Sequence, residues 1–178
     1  MLHDLLMMPT NIALRSLAIL CLAWCCTLTG FAQSLQNPSH EPHLQALDWL
    51  TRGAWTAEIT TPDGKPFIIQ NEIRWAETGT AIYFLTRFNH QAHYYGVYLY
   101  DPAAKQIKFF YTSSDGELTI GRAEPDANEL KQDFQISNEH GVTNYTSLIK
   151  RAGEDAYDFA VYQQGSDKPA VAVHYLRK

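Results

Sequence analysis

Cysteine is scarce in this chain: there are three, Cys21, Cys25 and Cys26, and all lie in one segment near the start. Everything from Gln33 onward lacks a thiol. For that portion a disulfide framework, a cysteine metal site and a thiol nucleophile are all excluded. Its stability must come from an apolar core, and its length suits one core and one domain. Basic runs are missing too. Lys and Arg number 14 against 19 Asp and Glu, a net charge of −5, and the charges are scattered. No stripe of the kind a phosphate backbone requires is present, which excludes nucleic acid and an anionic membrane surface as expected partners. No Gly-x-Ser-x-Gly elbow occurs. The acidic clusters Glu154-Asp155 and Asp126-Asn128-Glu129 fall in turn-like segments, where carboxylates are ordinary solvated groups. Histidines pair only at His90-Gln91-Ala92-His93 and His40-Glu41-Pro42-His43. Two imidazoles without a third ligand make a poor metal site, so no metal and no cofactor are expected.

What the sequence does have begins with an export signal. Arg15 precedes an uncharged run from Ser16 to Leu28, followed by Thr29-Gly30-Phe31-Ala32-Gln33. A basic residue, an apolar stretch and small residues at −3 and −1 (Gly30 and Ala32) form the pattern of a secretory signal peptide over 1–32 with cleavage after Ala32. The apolar run falls short of the ~20 residues that span a bilayer, so no stable membrane insertion is expected after cleavage. The product is exported, to a periplasm or to the medium. Residues 33–42 are polar and Pro-containing, a linker to the domain expected over 43–178.

From His43 to Arg52, Leu44, Leu47 and Leu50 recur at helical spacing beside Trp49, and Gly53 provides a stop. A helix this short is marginal alone and must dock its apolar face on something. After Gly53 the pattern changes to alternation, broken by turn signals every ~10–12 residues. These turns are 61–64, 77–79, 89–91, 101–104, 113–116, 125–128, 138–141, 152–155 and 164–167. Nine turns delimit ten strands, and no connection could hold a crossover helix. The predicted fold is all-β: an antiparallel meander of about ten strands, curled into a barrel that removes exposed edges, with the helix closing one end.

Successive side chains alternate across a strand, which assigns faces. Trp55, Ala57 and Ile59 in the first strand, Phe67, Ile69, Ile73 and Trp75 in the second, and Ile107, Phe109 and Tyr111 in the fifth should face inward. So should Leu130, Phe134 and Ile136, then Tyr157, Phe159 and Val161, and finally Val171, Val173, Tyr175 and Arg177. Arg177 is then placed to reach the Trp55 indole and tie the last strand to the first. Polar residues among these apolar sets are the candidate binding groups. Asn71 lies between Ile69 and Ile73, Gln132 between Leu130 and Phe134, Arg122 after Leu118 and Ile120, and Asn144 with Thr146 between Val142 and Leu148. With Tyr111 they would line a cavity and orient a small molecule, Arg122 serving a carboxylate. An internal hydrogen-bond network with bound water is the alternative. Tyr94, Tyr98 and Tyr100 share one face and Tyr95, Val97 and Leu99 the other. Inward tyrosines would make a ligand wall, and an outward stripe would suit a homodimer.

Gly53-Ala54-Trp55 with Arg177 resembles the calycin signature. Leu47-Asp48-Trp49-Leu50, Val97-Tyr98-Leu99-Tyr100-Asp101-Pro102 and Phe109 to Gly116 resemble secreted bacterial lipocalin-like domains of unknown function. The resemblance spans about residues 44–178 and implies a barrel that binds a small apolar or amphipathic molecule. The opening helix and Gly-x-Trp are also similar to nitrobindin-type ten-stranded barrels, which implies haem or nitric-oxide binding through a histidine near the C-terminus. His174 is the candidate, although parity sets it on the face opposite Val173 and Tyr175. A third reading is a cofactor-free cyclase or isomerase, which would need an inward acid–base pair.

Overall fold

A computed structural model describes residues 39–178 of the protein. The signal peptide expected over 1–32 and most of the expected linker lie outside the described residues.

A 3₁₀ helix runs from Pro42 to Thr51. The leucine spacing is compatible with this winding. Leu44, Leu47 and Leu50 are each three residues apart, and three residues per turn is the 3₁₀ period, so all three fall on one line. All are buried, with Trp49 beside them. The Glu41 carboxylate accepts from the His43 backbone N–H at 3.3 Å, and Pro42 occupies the first turn, where its missing donor is harmless.

Ten strands follow: β1 (Gly53–Thr60), β2 (Pro66–Trp75), β3 (Ala81–Phe88), β4 (Gln91–Asp101), β5 (Gln106–Ser113), β6 (Leu118–Pro125), β7 (Glu129–Asn138), β8 (Gly141–Arg151), β9 (Ala156–Gln163) and β10 (Val171–Arg177). Every expected turn separates the strands it was expected to separate. Each strand pairs antiparallel with the next, and β10 pairs with β1 to close the barrel. The seam is short: Trp55 opposes Arg177 and Thr56 opposes Leu176, whereas β1 and β2 pair from Gly53 to Thr60.

The helix plugs one end. Trp55 donates its indole N–H to the Leu50 carbonyl at 2.7 Å, and Trp75 donates to Asp48 Oδ1 at 2.8 Å. Imidazoles complete the rim, with His40 stacked on Trp75 at 4.0 Å and His43 on Tyr100 at 3.7 Å. Trp49, Trp55 and Tyr157 meet edge to face behind the plug. At the seam, the Arg177 guanidinium carbon stands 5.2 Å from the Trp55 ring centroid, a cation–π contact. Arg177 also donates to the Glu154 carbonyl and lies 3.1 Å from Asp155 Oδ1. The glycine of the Gly-x-Trp motif has a physical reason. Gly53 has φ +150°, and a Cβ there would stand 3.3 Å from Arg177 Cγ.

Two strands turn the opposite way from the apolar-parity reading. In β6 the inward residues are Thr119, Gly121 and Ala123, and Leu118 and Ile120 lie outside, exposed. The rings of the neighbouring strands decide this: a Cβ at Gly121 would stand 2.5 Å from Phe134 Cβ and 2.7 Å from Phe109 Cζ. In β8 the inward set is Tyr145, Ser147 and Ile149, and Val142 and Asn144 are exposed.

Candidate functional site

The plug fills only one end of the interior. Beyond it lies a cavity of about 360 Å³, near the low end of the ~300–1,000 Å³ typical of small-molecule sites. Its mouth is at the end away from the helix, where Val171 is 44% exposed. Two glycines and the rings beside them shape its wall. On β4, Gly96 leaves room for the Phe84 ring, onto which a Cβ there would fall. Gly121 does the same for Phe109 and Phe134.

The lining is chiefly apolar, and it holds no Asp, Glu, Lys, Arg or His. Its polar groups are two amides, two aliphatic hydroxyls and six phenols: Asn71, Gln132, Thr86, Ser147, and Tyr94, Tyr98, Tyr111, Tyr145, Tyr157 and Tyr175. Strand register joins them into two relays. Asn71 and Thr86 are cross-strand partners on β2 and β3; Thr86 Oγ1 donates to Asn71 Oδ1 at 2.5 Å, and Asn71 Nδ2 donates to the Tyr157 hydroxyl at 3.0 Å. Gln132 and Ser147 are partners on β7 and β8; Ser147 Oγ donates to Gln132 Oε1 at 2.6 Å, and Gln132 Nε2 donates to the Tyr98 hydroxyl at 2.8 Å. Each relay therefore runs hydroxyl, amide, phenol.

Burial pushes the phenols up. Tyr94 rises to about 12, with the neighbouring Tyr111 as a second cause. Desolvation raises Tyr98, Tyr111, Tyr157 and Tyr175 as well. The Tyr157 ring stacks on that of Tyr175 at 4.6 Å, and each phenol disfavours a second negative charge nearby. At neutral pH all of these groups are uncharged hydrogen-bond formers.

Of the residues singled out from the sequence, Asn71, Tyr111 and Gln132 line this cavity. Arg122 does not. It lies on the outer wall with its side chain 54% exposed, 3.2 Å from Asp133 Oδ2 and 3.6 Å from Glu124 Oε1. Asn144 is exposed on the outer face of β8. Both displacements follow from the reversed faces of β6 and β8, and with them the cavity loses its expected carboxylate contact. Trp55 and Arg177 meet at the seam as expected. The tyrosine ambiguity resolves by position: Tyr94 and Tyr98 line the cavity, and Tyr95 is exposed outside.

Thr86, Ser147 and Tyr157 were not singled out as binding groups from the sequence, and Tyr98 only as one of the tyrosines that could form a ligand wall. A signal for Ser147 was present. The alternative face of β8 runs into Lys150, whose inward placement would bury a charge. Likewise, the face of β6 that carries Leu118 and Ile120 also carries Arg122 and Glu124.

None of the described histidines lines the cavity, although His93 packs behind two of its wall residues, Phe88 at 4.4 Å and Tyr94 at 4.3 Å. His90 contacts Gln70 Oε1 at 3.0 Å, and His93 contacts Ser114 Oγ at 2.7 Å. His174 is on the outer wall, 2.7 Å from Asp158 Oδ1, as parity had it. The haem implied by the nitrobindin resemblance does not fit these residues, because its expected ligand faces away and no imidazole lines the cavity. Among the described residues no group of three His, Cys, Asp or Glu side chains converges. The closed ten-stranded antiparallel barrel is consistent with a calycin-like fold. No protein-family model matches the chain, and no curated protein matches it.

Proposed function

We propose that this protein is an exported binder of a small, neutral, largely apolar molecule. The observation that carries the reading is the cavity itself: enclosed by apolar and aromatic walls, supplied with a few ordered polar groups, and free of charge along its lining. A charged ligand would have to leave water without a countercharge, which costs far more than the apolar contacts return. The order of Arg15, the uncharged run, Gly30 and Ala32 supports export. General acid–base catalysis at neutral pH needs a group titrating near 7, and the lining offers only amides, aliphatic hydroxyls and phenols, with Tyr98 and Tyr157 pushed upward by burial. That favours binding over isomerase or cyclase chemistry.

Two measurements test the reading. Native mass spectrometry of the protein taken from its own host should show a co-purifying neutral small molecule. The emptied protein should bind the neutral fluorophore 1-aminoanthracene, with a blue-shifted emission. A chain that arrives empty and leaves the fluorophore unchanged sinks the proposal.

A further inference from the structure

Hydrogen-bond direction in the two relays leaves a specific surplus. The contacts from Thr86 to Asn71 and from Ser147 to Gln132 are 2.5 and 2.6 Å. Those separations suit O–H···O and are too short for N–H···O, which prefers about 2.7–3.2 Å. The contacts from the amides to Tyr157 and Tyr98 are 3.0 and 2.8 Å, within the N–H···O range. Both amides are thereby oriented: oxygen toward the aliphatic hydroxyl, nitrogen toward the phenol. Tyr98 and Tyr157 therefore accept from an amide and keep their own protons. The two residues are 6% and 2% exposed, and neither phenol finds an acceptor among the described residues. A buried O–H without an acceptor is destabilising by about 1–3 kcal/mol. The aliphatic hydroxyl behind each amide holds it so that the phenol cannot turn round and donate to it.

We propose that Tyr98 and Tyr157 each present an O–H donor to a neutral carbonyl compound, such as a ketone or quinone on a compact hydrocarbon skeleton. This rests on the small-molecule-binding reading and narrows it. The ligand's carbonyl oxygen accepts a phenol O–H, and the aromatic and aliphatic walls take the skeleton. A ligand whose buried polar group is only a donor leaves both phenol protons unsatisfied, and a carboxylate meets no cation. The site thus selects a neutral acceptor.

The test uses matched probes, α-tetralone and tetralin, which share a skeleton and differ by the carbonyl. Each is titrated against bound 1-aminoanthracene. With a buried donor for its one acceptor, tetralone should displace the fluorophore at about ten-fold lower concentration than tetralin. Tyr98→Phe and Tyr157→Phe should each shrink that ratio, by raising the tetralone midpoint and leaving the tetralin midpoint in place. Equal midpoints in the wild-type protein overturn the two donors, since water then serves the phenols equally well. So does a ratio unchanged in both variants. In either case binding of 1-aminoanthracene still upholds the broader reading. A fluorophore that fails to bind at all overturns both. The wild-type comparison stands whether or not the variants fold.

Discussion

At the scale of single residues, the aromatic wall packs as it does because two inward positions carry no side chain. Gly121 has ordinary strand geometry, so its role is space alone. A methyl group there would stand 2.6 Å from the Asp133 carbonyl oxygen as well as 2.5 Å from Phe134 Cβ, and backbone cannot step aside as a flexible side chain can. Gly121→Ala should therefore destabilise the protein by about 1–3 kcal/mol, seen as a lower urea midpoint at constant slope. An unchanged midpoint would mean that the wall relaxes freely around the site. The same residue shows what misleads a reading by apolar parity. Large apolar side chains mark the core only when the core has room for them. At Gly121 two phenyl rings already occupy it, and Leu118 and Ile120 go outside. Parity of charge is the safer guide, since Arg122, Glu124 and Lys150 all lie on the outer faces of their strands.

At the scale of elements, the helix is the only element among the described residues without a ladder to hold it, so its three leucines must anchor it. Leu47 is buried at the centre of the leucine line. Leu47→Ala should cost about 2–5 kcal/mol of unfolding free energy, measured by urea titration. A loss well under 1 kcal/mol would mean that the plug is held by its hydrogen bonds through Trp55 and Trp75 instead. The elements were also the most legible part of the sequence. Turn residues recur at regular intervals, and strand alternation is clear wherever a strand has one charged face, as in β2 with Glu72 and Arg74 or β7 with Lys131 and Asp133. The helix was legible in place but not in winding, because spacing of three fits a 3₁₀ turn as well as one face of an α-helix. The polar relays were half legible. Asn71 and Gln132 stand out within their own strands, but their partners Thr86 and Ser147 depend on cross-strand register, which alternation within a strand does not specify.

At the scale of the whole molecule, the phenols couple the cavity to stability in alkali. Tyr94, Tyr98, Tyr111, Tyr157 and Tyr175 are all harder to ionise folded than unfolded. Their contribution is fully present below the ordinary phenol value of about 10. Above it the unfolded chain releases protons that the folded chain retains, so stability falls as pH rises toward the folded values, about 12 for Tyr94. A spectrophotometric titration of the ten tyrosines should resolve the buried phenols as a separate step. This late group should ionise together with the loss of the folded circular dichroism signal. One smooth transition near the ordinary value, with the fold intact, would show that the cavity phenols are solvated.

The short seam bears on how the protein reaches this state. Nine of the ten strand pairings join neighbours in sequence, and each hairpin can form as soon as its two strands are available. The tenth brings Trp55 to Arg177 across nearly the entire domain. It carries a large loop-closure entropy and must come late. A chain emerging with its N-terminus first can build an open, curling meander, but it cannot enclose a cavity until Arg177 is free. An enclosed cavity should therefore arrive in one step at the end of folding, and never in part.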